Sequence, residues 1–197
     1  MRKIFIDAGC NEADSLKDFL SGKMFPDVEN PEQYEIIAID VSPQFVTAIE
    51  KMCRLYGAFE WQFLHRAVWT RDEPVNCMFC KDNSVSSSVV TRDNKTARFY
   101  LDHEGLVDGM DFSIWIEDSF DKEDEIILKM DIEGAEFHVL PKMMEEATML
   151  YINRLAIEFH HGWKKYGTKA SRCYYTFLRE MIMKYLAHFK IPVKEYK

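Results

Sequence analysis

Three short apolar runs in this chain each end in an acid, and that recurrence constrains the fold more than any other feature. They are Lys3-Ile4-Phe5-Ile6-Asp7, Glu35-Ile36-Ile37-Ala38-Ile39-Asp40 and Glu125-Ile126-Ile127-Leu128-Lys129-Met130-Asp131. A strand that is apolar almost throughout is buried on both faces, as in a parallel sheet covered by its crossover helices. Arg154 to Phe159 is another such run, with Glu158 near its end, and Trp61 to Val68 reads as a third strand between them. Helical stretches alternate with these runs, which implies a doubly wound, mostly parallel α/β sheet. Ligands bind such sheets outside the carboxyl ends of the strands. Asp7, Asp40, Asp131 and Glu158 all fall at or near those ends.

The connections support this reading. Ala8-Gly9-Cys10-Asn11 makes a tight turn into a helix ending near Leu20. Ser42-Pro43 opens a second helix with an N-cap and a proline at its first position, and Gly57 closes it. Phe45, Ile49, Met52 and Tyr56 recur on the core face of that helix. Residues 76–116 turn to alternating strands around a Ser/Thr/Asn-rich loop from Asp82 to Lys95, which reads as a β insertion or an antiparallel edge. A further helix is expected from about Ala135, broken or restarted at Pro141. Another runs from about Lys169 to His188, and Ile191 to Tyr196 is a last extended piece. The 197 residues are read as a single domain, 1–197.

Composition removes several classes of function. The net charge of −8 disfavours a nucleic acid partner, although Lys164, Lys165 and Lys169 form a local basic patch. No apolar segment approaches the roughly 20 residues needed to span a bilayer. Met1 to Asp7 is a short strand rather than a basic head with an apolar stretch, so no signal peptide is expected. Five cysteines without framework spacing fit reduced thiols, and a cytoplasmic location is the expectation. Cys77 and Cys80 form a CxxC with no second pair to complete a zinc site. On a strand they would face opposite ways, as core residues.

Asp7-Ala8-Gly9-Cys10-Asn11 contains only one glycine, so neither GxGxxG nor GxxxxGK is present and a pyrophosphate cradle is not expected. A ligand with an amino-acid end needs less: one acid for its ammonium and a few N–H groups for its carboxylate. A turn that merely packs is the competing reading. Asp40, about 30 residues on, stands where an acid accepts the ribose hydroxyls of a nucleoside, or else is a solvated strand cap.

Leu128-Lys129-Met130-Asp131-Ile132-Glu133-Gly134-Ala135-Glu136 resembles the LKxDxEGAE signature of FkbM-type methyltransferases. Asp7-Ala8-Gly9-Cys10-Asn11-Glu12-Ala13 is similar to that family's DxGANxG, with Cys10 in place of alanine and Ala13 in place of the last glycine. Asp40-Val41-Ser42-Pro43 resembles its acid-x-x-proline, and Ala67-Val68, Ser86-Ser87-Ser88 and Asp118 stand where the family has comparable short motifs. The resemblance covers about residues 3 to 160. It implies a Rossmann-like methyltransferase fold with S-adenosylmethionine as donor and a hydroxyl as acceptor. The donor site it implies comprises Asp7, Ala8, Gly9, Cys10, Asn11, Asp40, Val41, Ala67, Val68 and Asp131. Against that fold the chain has room for only one strand after its last helix, where a hairpin is usual, which implies a trimmed sheet or a truncated chain.

A hydroxyl acceptor needs a base or a metal to help remove its proton. Asp131, Glu133, Glu158 and His160 are the candidate catalytic residues, and Asp131 with Glu158 the candidate ligands for Mg²⁺ or Mn²⁺. The competing reading makes Glu133 and Glu136 only first-turn acids favoured by the helix dipole. The loop from His160 to Gly167, with Trp163 and Tyr166, is either an aromatic lid over the pocket or a surface loop. His65, His103, His138 and His188 read as structural. The expected acceptor is a small molecule or glycan: a sugar hydroxyl, a deoxysugar included, or a glycosylated small molecule. An NAD-binding oxidoreductase and a non-catalytic nucleoside-binding module are the rivals. A base methyltransferase is opposed by the charge and by the lack of an Asn/Asp-Pro-Pro-aromatic motif.

Overall fold

The computed structural model describes residues 1–80, 87–89, 101–160 and 169–195. Ser86, most of the 82–95 loop and residues 161–168, with Trp163, Lys164 and Lys165, lie outside the described residues. The strands are β1 Lys3–Ala8, β2 Glu35–Asp40, β3 Trp61–His65, β4 Ala67–Trp69, β5 Pro74–Cys80, β6 Leu101–Asp111, β7 Glu125–Met130, β8 Ile152–Ile157 and β9 Val193–Glu195. The helices are α1 Asp14–Leu20, α2 Val46–Tyr56, α3 Phe112–Ser119, α4 Glu136–Glu145 and α5 Lys169–His188.

The central sheet has the order β3-β2-β1-β7-β8-β9, and every pairing in it is parallel. Successive side chains on each strand point to opposite faces, and both faces are covered. Ile4, Ile6, Ile126, Leu128, Leu155 and Ile157 pack on one face against Ile116 of α3, Leu140 of α4 and Ile182 and Leu186 of α5. Phe5, Ile36, Ala38 and Ile127 pack on the other, against Leu16 and Phe19 of α1 and Ile49 and Cys53 of α2. Phe5 and Phe19 stack with centroids 3.9 Å apart, and Tyr34 meets the edge of Phe19. The architecture is α/β, with helices on both faces of a parallel sheet. From β1 the chain winds outward to β2 and β3, then returns on the other side of β1 as β7. The reversal opens a crevice at the carboxyl ends of β1, β2 and β7.

The insertion differs in extent from its sequence reading of 76–116. The third strand stops at His65: the Arg66 N–H turns back to the carbonyls of Asp40 and Leu64, at 3.1 and 3.0 Å. Ala67–Trp69 then joins a separate three-stranded sheet of order β4-β6-β5, with β4 parallel and β5 antiparallel to β6. That sheet ends at Asp111. The remaining residues, to Ile116 and beyond, belong to helix α3, and Asp118 lies on it. Asp111 caps α3 by accepting from the Ile114 N–H at 3.3 Å, and Phe112 and Ile116, one helical turn apart, are both fully buried.

Three smaller expectations are also corrected. Helix α4 runs through Pro141 without a break, because the fully buried Leu140 and Met143 on either side hold its period. Ser42 does not cap α2 with its side chain; a 3-10 turn at Pro43–Phe45 intervenes, and the Ser42 N–H goes to Asp40 Oδ1. Gly57 does end α2, in the left-handed region at φ 76°. A single strand, β9, lies parallel beside β8 at the far edge. No helix among the described residues is long and apolar enough to cross a membrane.

A half-buried ion pair ties the insertion to the central layers. Lys142 of α4 pairs with Asp111 and donates to the Thr70 carbonyl at 2.9 Å, while the Asp111 N–H goes to Asp72. Asp111→Ala removes a cap and a buried acceptor together. It is expected to cost about 2–4 kcal/mol in urea denaturation, whereas Asp72→Ala, at an exposed residue, should cost about 1 kcal/mol.

Candidate functional site

The crevice at the reversal is a cleft partly open to solvent. Gly9 and Asn11 from the turn after β1, Asp40 and Val41 from the end of β2, Ala67 and Val68 from β4, and Asp131 and Glu133 after β7 line it. Phe45, Arg66, Ser87 and Val89 complete its walls with Ile39, Ile132 and Ala135. Of the ten residues named for the donor, Gly9, Asn11, Asp40, Val41, Ala67, Val68 and Asp131 face this one space. Asp7, Ala8 and Cys10 lie behind it and are buried.

Gly9 has φ +77°, and a Cβ placed there would come within 1.9 Å of the Asp131 carbonyl oxygen. Its missing side chain is therefore filled by the neighbouring strand end, which lets the two turns close on each other. Asp40 holds the next turn: its two oxygens accept from the Asn11 N–H at 3.1 Å and the Ser42 N–H at 2.9 Å. Each oxygen keeps a further lone pair for a ligand in the cleft. Burial raises the Asp40 pKa above the ordinary aspartate value, against the opposite pull of the two N–H groups.

Behind the cleft lies a buried cation. Lys129 is only 5% exposed inside β7; its ammonium donates to the Gly9 carbonyl at 2.6 Å and lies 3.2 Å from Asp7 Oδ1 and 3.7 Å from Asp131 Oδ2. Asp7 is fully buried, and its other oxygen accepts from the Ser15 hydroxyl at 2.7 Å. Burial alone would lower the Lys129 pKa, but Asp7 and Asp131 override it and the net shift is upward. The ammonium stays charged.

The acid end of the site converges on His160. Its Nε2 lies 3.6 Å from Asp131 Oδ1, 3.7 Å from Glu133 Oε2 and 3.7 Å from Glu158 Oε1. Its Nδ1 faces Glu136 Oε1 at 3.3 Å. Burial would lower the His160 pKa, yet Glu136, Glu133 and Asp131 together push it up to about 9. All four candidate catalytic residues are thus neighbours. Glu136, fully buried, accepts from the Gly134 N–H at 2.8 Å and the His160 N–H at 2.6 Å. It staples the turn after β7 to the turn after β8. Ser88 adds a third tie through its hydroxyl, which donates to the Glu133 carbonyl at 2.8 Å.

Sequence reasoning assigned no role to Lys129 and read Glu136 as a helix-start acid. A lone lysine inside an apolar strand was the available signal, since lysine is almost never buried unpaired. Phe45 and Arg66 were missed as cleft walls. His65 Nε2 donates to the Val41 carbonyl at 2.9 Å, and the His138 ring packs near Trp69, both outside the acid cluster. Compared with known proteins, the chain matches no family model, no curated protein and no solved structure.

Two stability measurements test this geometry. Lys129→Met leaves Asp7 buried without its cation and is expected to cost about 3–5 kcal/mol in chemical denaturation; adding Asp7→Asn should recover a large part of that loss. Glu133 is a non-glycine residue held in the left-handed region at φ 54°. Glu133→Gly should leave the protein about 1 kcal/mol more stable than Glu133→Ala, which removes the same carboxylate and keeps the strain. Equal midpoints would mean that the backbone at 133 carries no strain.

Proposed function

We propose that this chain is an S-adenosylmethionine-dependent O-methyltransferase that binds the nucleoside end of its donor in the cleft between β1, β2 and β4. The observation that carries the reading is the pairing of Asp40, on the wall of the cleft, with a turn that holds a single glycine. Gly9 is filled by the Asp131 carbonyl. The first helix after it starts only at Asp14, and that residue is an acid, which disfavours a phosphate at the helix start. An adenosine linked to an amino acid suits this better than a dinucleotide. The resemblance of the turns at Asp7–Ala13, Asp40–Pro43 and Leu128–Glu136 to FkbM-type methyltransferases points the same way.

In this reading Asp40 accepts the ribose hydroxyls, and Phe45, Val41 and Val68 supply apolar walls for the base. The turn at Gly9 and Asn11 faces the amino-acid end, while Asp7 positions rather than touches, through Lys129 and the Gly9 carbonyl. The donor supplies an electrophilic sulfonium methyl, so the protein's share is alignment and removal of the hydroxyl proton. Asp131, Glu133, Glu158 and His160 form the face on which the acceptor lies, and a carboxylate there takes that proton. The acceptor class is a hydroxyl on a sugar, a glycan or a glycosylated small molecule, in keeping with the chain's net negative charge.

Calorimetry decides between this and its rivals. S-adenosylhomocysteine is expected to bind, and NAD to bind at least tenfold more weakly. Asp40→Ala should weaken S-adenosylhomocysteine binding by about 1–3 kcal/mol. Tight NAD binding overturns the proposal in favour of an oxidoreductase. Binding of S-adenosylhomocysteine with no transfer of labelled methyl to any of a panel of glycosides, rhamnosides and fucosides included, favours a non-catalytic module.

A further inference from the structure

A second chemistry sits beside the cleft, where β7 and β8 end. One oxygen of Asp131, one of Glu133 and one ring nitrogen of His160 lie within 4.8 Å of one another. Nε2 of His160 is 3.6 Å from Asp131 Oδ1 and 3.7 Å from Glu133 Oε2. Atoms bound to one ion at about 2.1 Å lie about 3 Å apart when adjacent and about 4.2 Å apart when opposite. The two separations from Nε2 fall between those limits, and the two carboxylate oxygens lie within 4.8 Å of each other. We infer that Asp131, Glu133 and His160 bind a divalent first-row transition-metal ion.

The support behind the ligands is an independent observation. Glu136 is fully buried, faces Nδ1 of His160 at 3.3 Å and accepts from that residue's own N–H at 2.6 Å. A carboxylate 3.3 Å from the far ring nitrogen favours a proton on Nδ1 once an ion takes the Nε2 lone pair, as behind a metal-bound histidine. Asp131 is held from behind as well, by Lys129 at 3.7 Å from its second oxygen. Acids that only faced solvent would need neither support.

The donor set also selects the ion. Mg²⁺ and Ca²⁺ favour all-oxygen shells, whereas an imidazole with two carboxylates suits Mn²⁺, Fe²⁺ or Zn²⁺. Three protein ligands leave positions open for water or an acceptor oxygen. Glu158, 3.7 Å from Nε2 and the most exposed of the three carboxylates around it, then remains outside the set as the base. That last role rests on the proposed methyl transfer; ion binding itself does not.

The test uses the full chain without a methyl donor. Titration with Mn²⁺, following the free ion by its electron paramagnetic resonance signal, is expected to show one saturable site. Asp131→Asn and His160→Ala should each weaken it at least tenfold. A tenfold excess of Mg²⁺ should leave the ion in place, and Zn²⁺ should displace it. In the wild-type protein, electron spin-echo modulation from a nitrogen nucleus should report the imidazole directly, so the inference does not depend on the variants folding. No saturable Mn²⁺ site, no nitrogen modulation, or displacement by equimolar Mg²⁺ overturns it. S-adenosylhomocysteine binding, measured on the same chelator-treated protein, separates the two readings. Nucleoside binding without a Mn²⁺ site sinks only the ion, and the converse sinks only the methyl donor.

Discussion

The ammonium of Lys129 is the constraint on which the rest of the site depends. A charged amine buried in a parallel strand is costly unless its surroundings neutralise it and accept its protons. Here Asp7 and Asp131 supply the charge and the Gly9 carbonyl a short hydrogen bond. Those partners are the ends of the two central strands and the first residue of the cleft turn. Satisfying one lysine therefore fixes the spacing of β1 and β7 at their carboxyl ends. It also aligns the Gly9 carbonyl, while the Gly9 and Cys10 N–H groups of the same turn go to the Ile39 carbonyl.

Strain collects around this anchor. Asn11, Ala13, Glu133 and Gly134 all have positive φ, and all belong to the two turns that meet at Gly9. Such conformations persist only where surrounding contacts over-determine them. Asp40 holds the Asn11 N–H, Glu136 holds the Gly134 N–H, and Ser88 holds the Glu133 carbonyl. Ala13 shows what the sequence departure costs. It is fully buried at φ 69°, where the resembling motif carries glycine, so the backbone has kept a glycine's conformation under a methyl group. The three-stranded insertion contributes here too, because Ser88 reaches the site through its bridge to Met78.

Much of this was legible in the sequence for a simple reason. Acid-terminated apolar runs report both burial and strand polarity, so the parallel sheet, its carboxyl edge and the cleft position of Asp40 follow from local pattern. Helix α3 was not legible in that way. Phe112 and Ile116 are consistent with alternation as well as with a helical turn, and the cap that decides between them depends on where Asp111 points. The partners of Lys129 and Glu136 were hidden for a different reason. Lys129 and Gly9 are 120 residues apart, and Glu136 and His160 are 24 apart. A first-turn glutamate looks the same in sequence whether it faces water or clamps a distant backbone. Burial was the missing information.

Asp131 joins the two halves of the site. Its carbonyl fills the space a side chain at Gly9 would need, one carboxylate oxygen turns toward Lys129 and the other toward His160. The Asp40 side of the cleft and the acid side therefore share a single residue, held by backbone packing on one and by charge on the other. A change of charge around His160, from a bound cation or from loss of an acid, acts directly on the oxygen of Asp131 opposite Lys129. Lys129 in turn holds the Gly9 carbonyl, in the turn after β1. The two chemistries read from this site are thus coupled through three contacts: His160 to Asp131, Asp131 to Lys129, and Lys129 to Gly9.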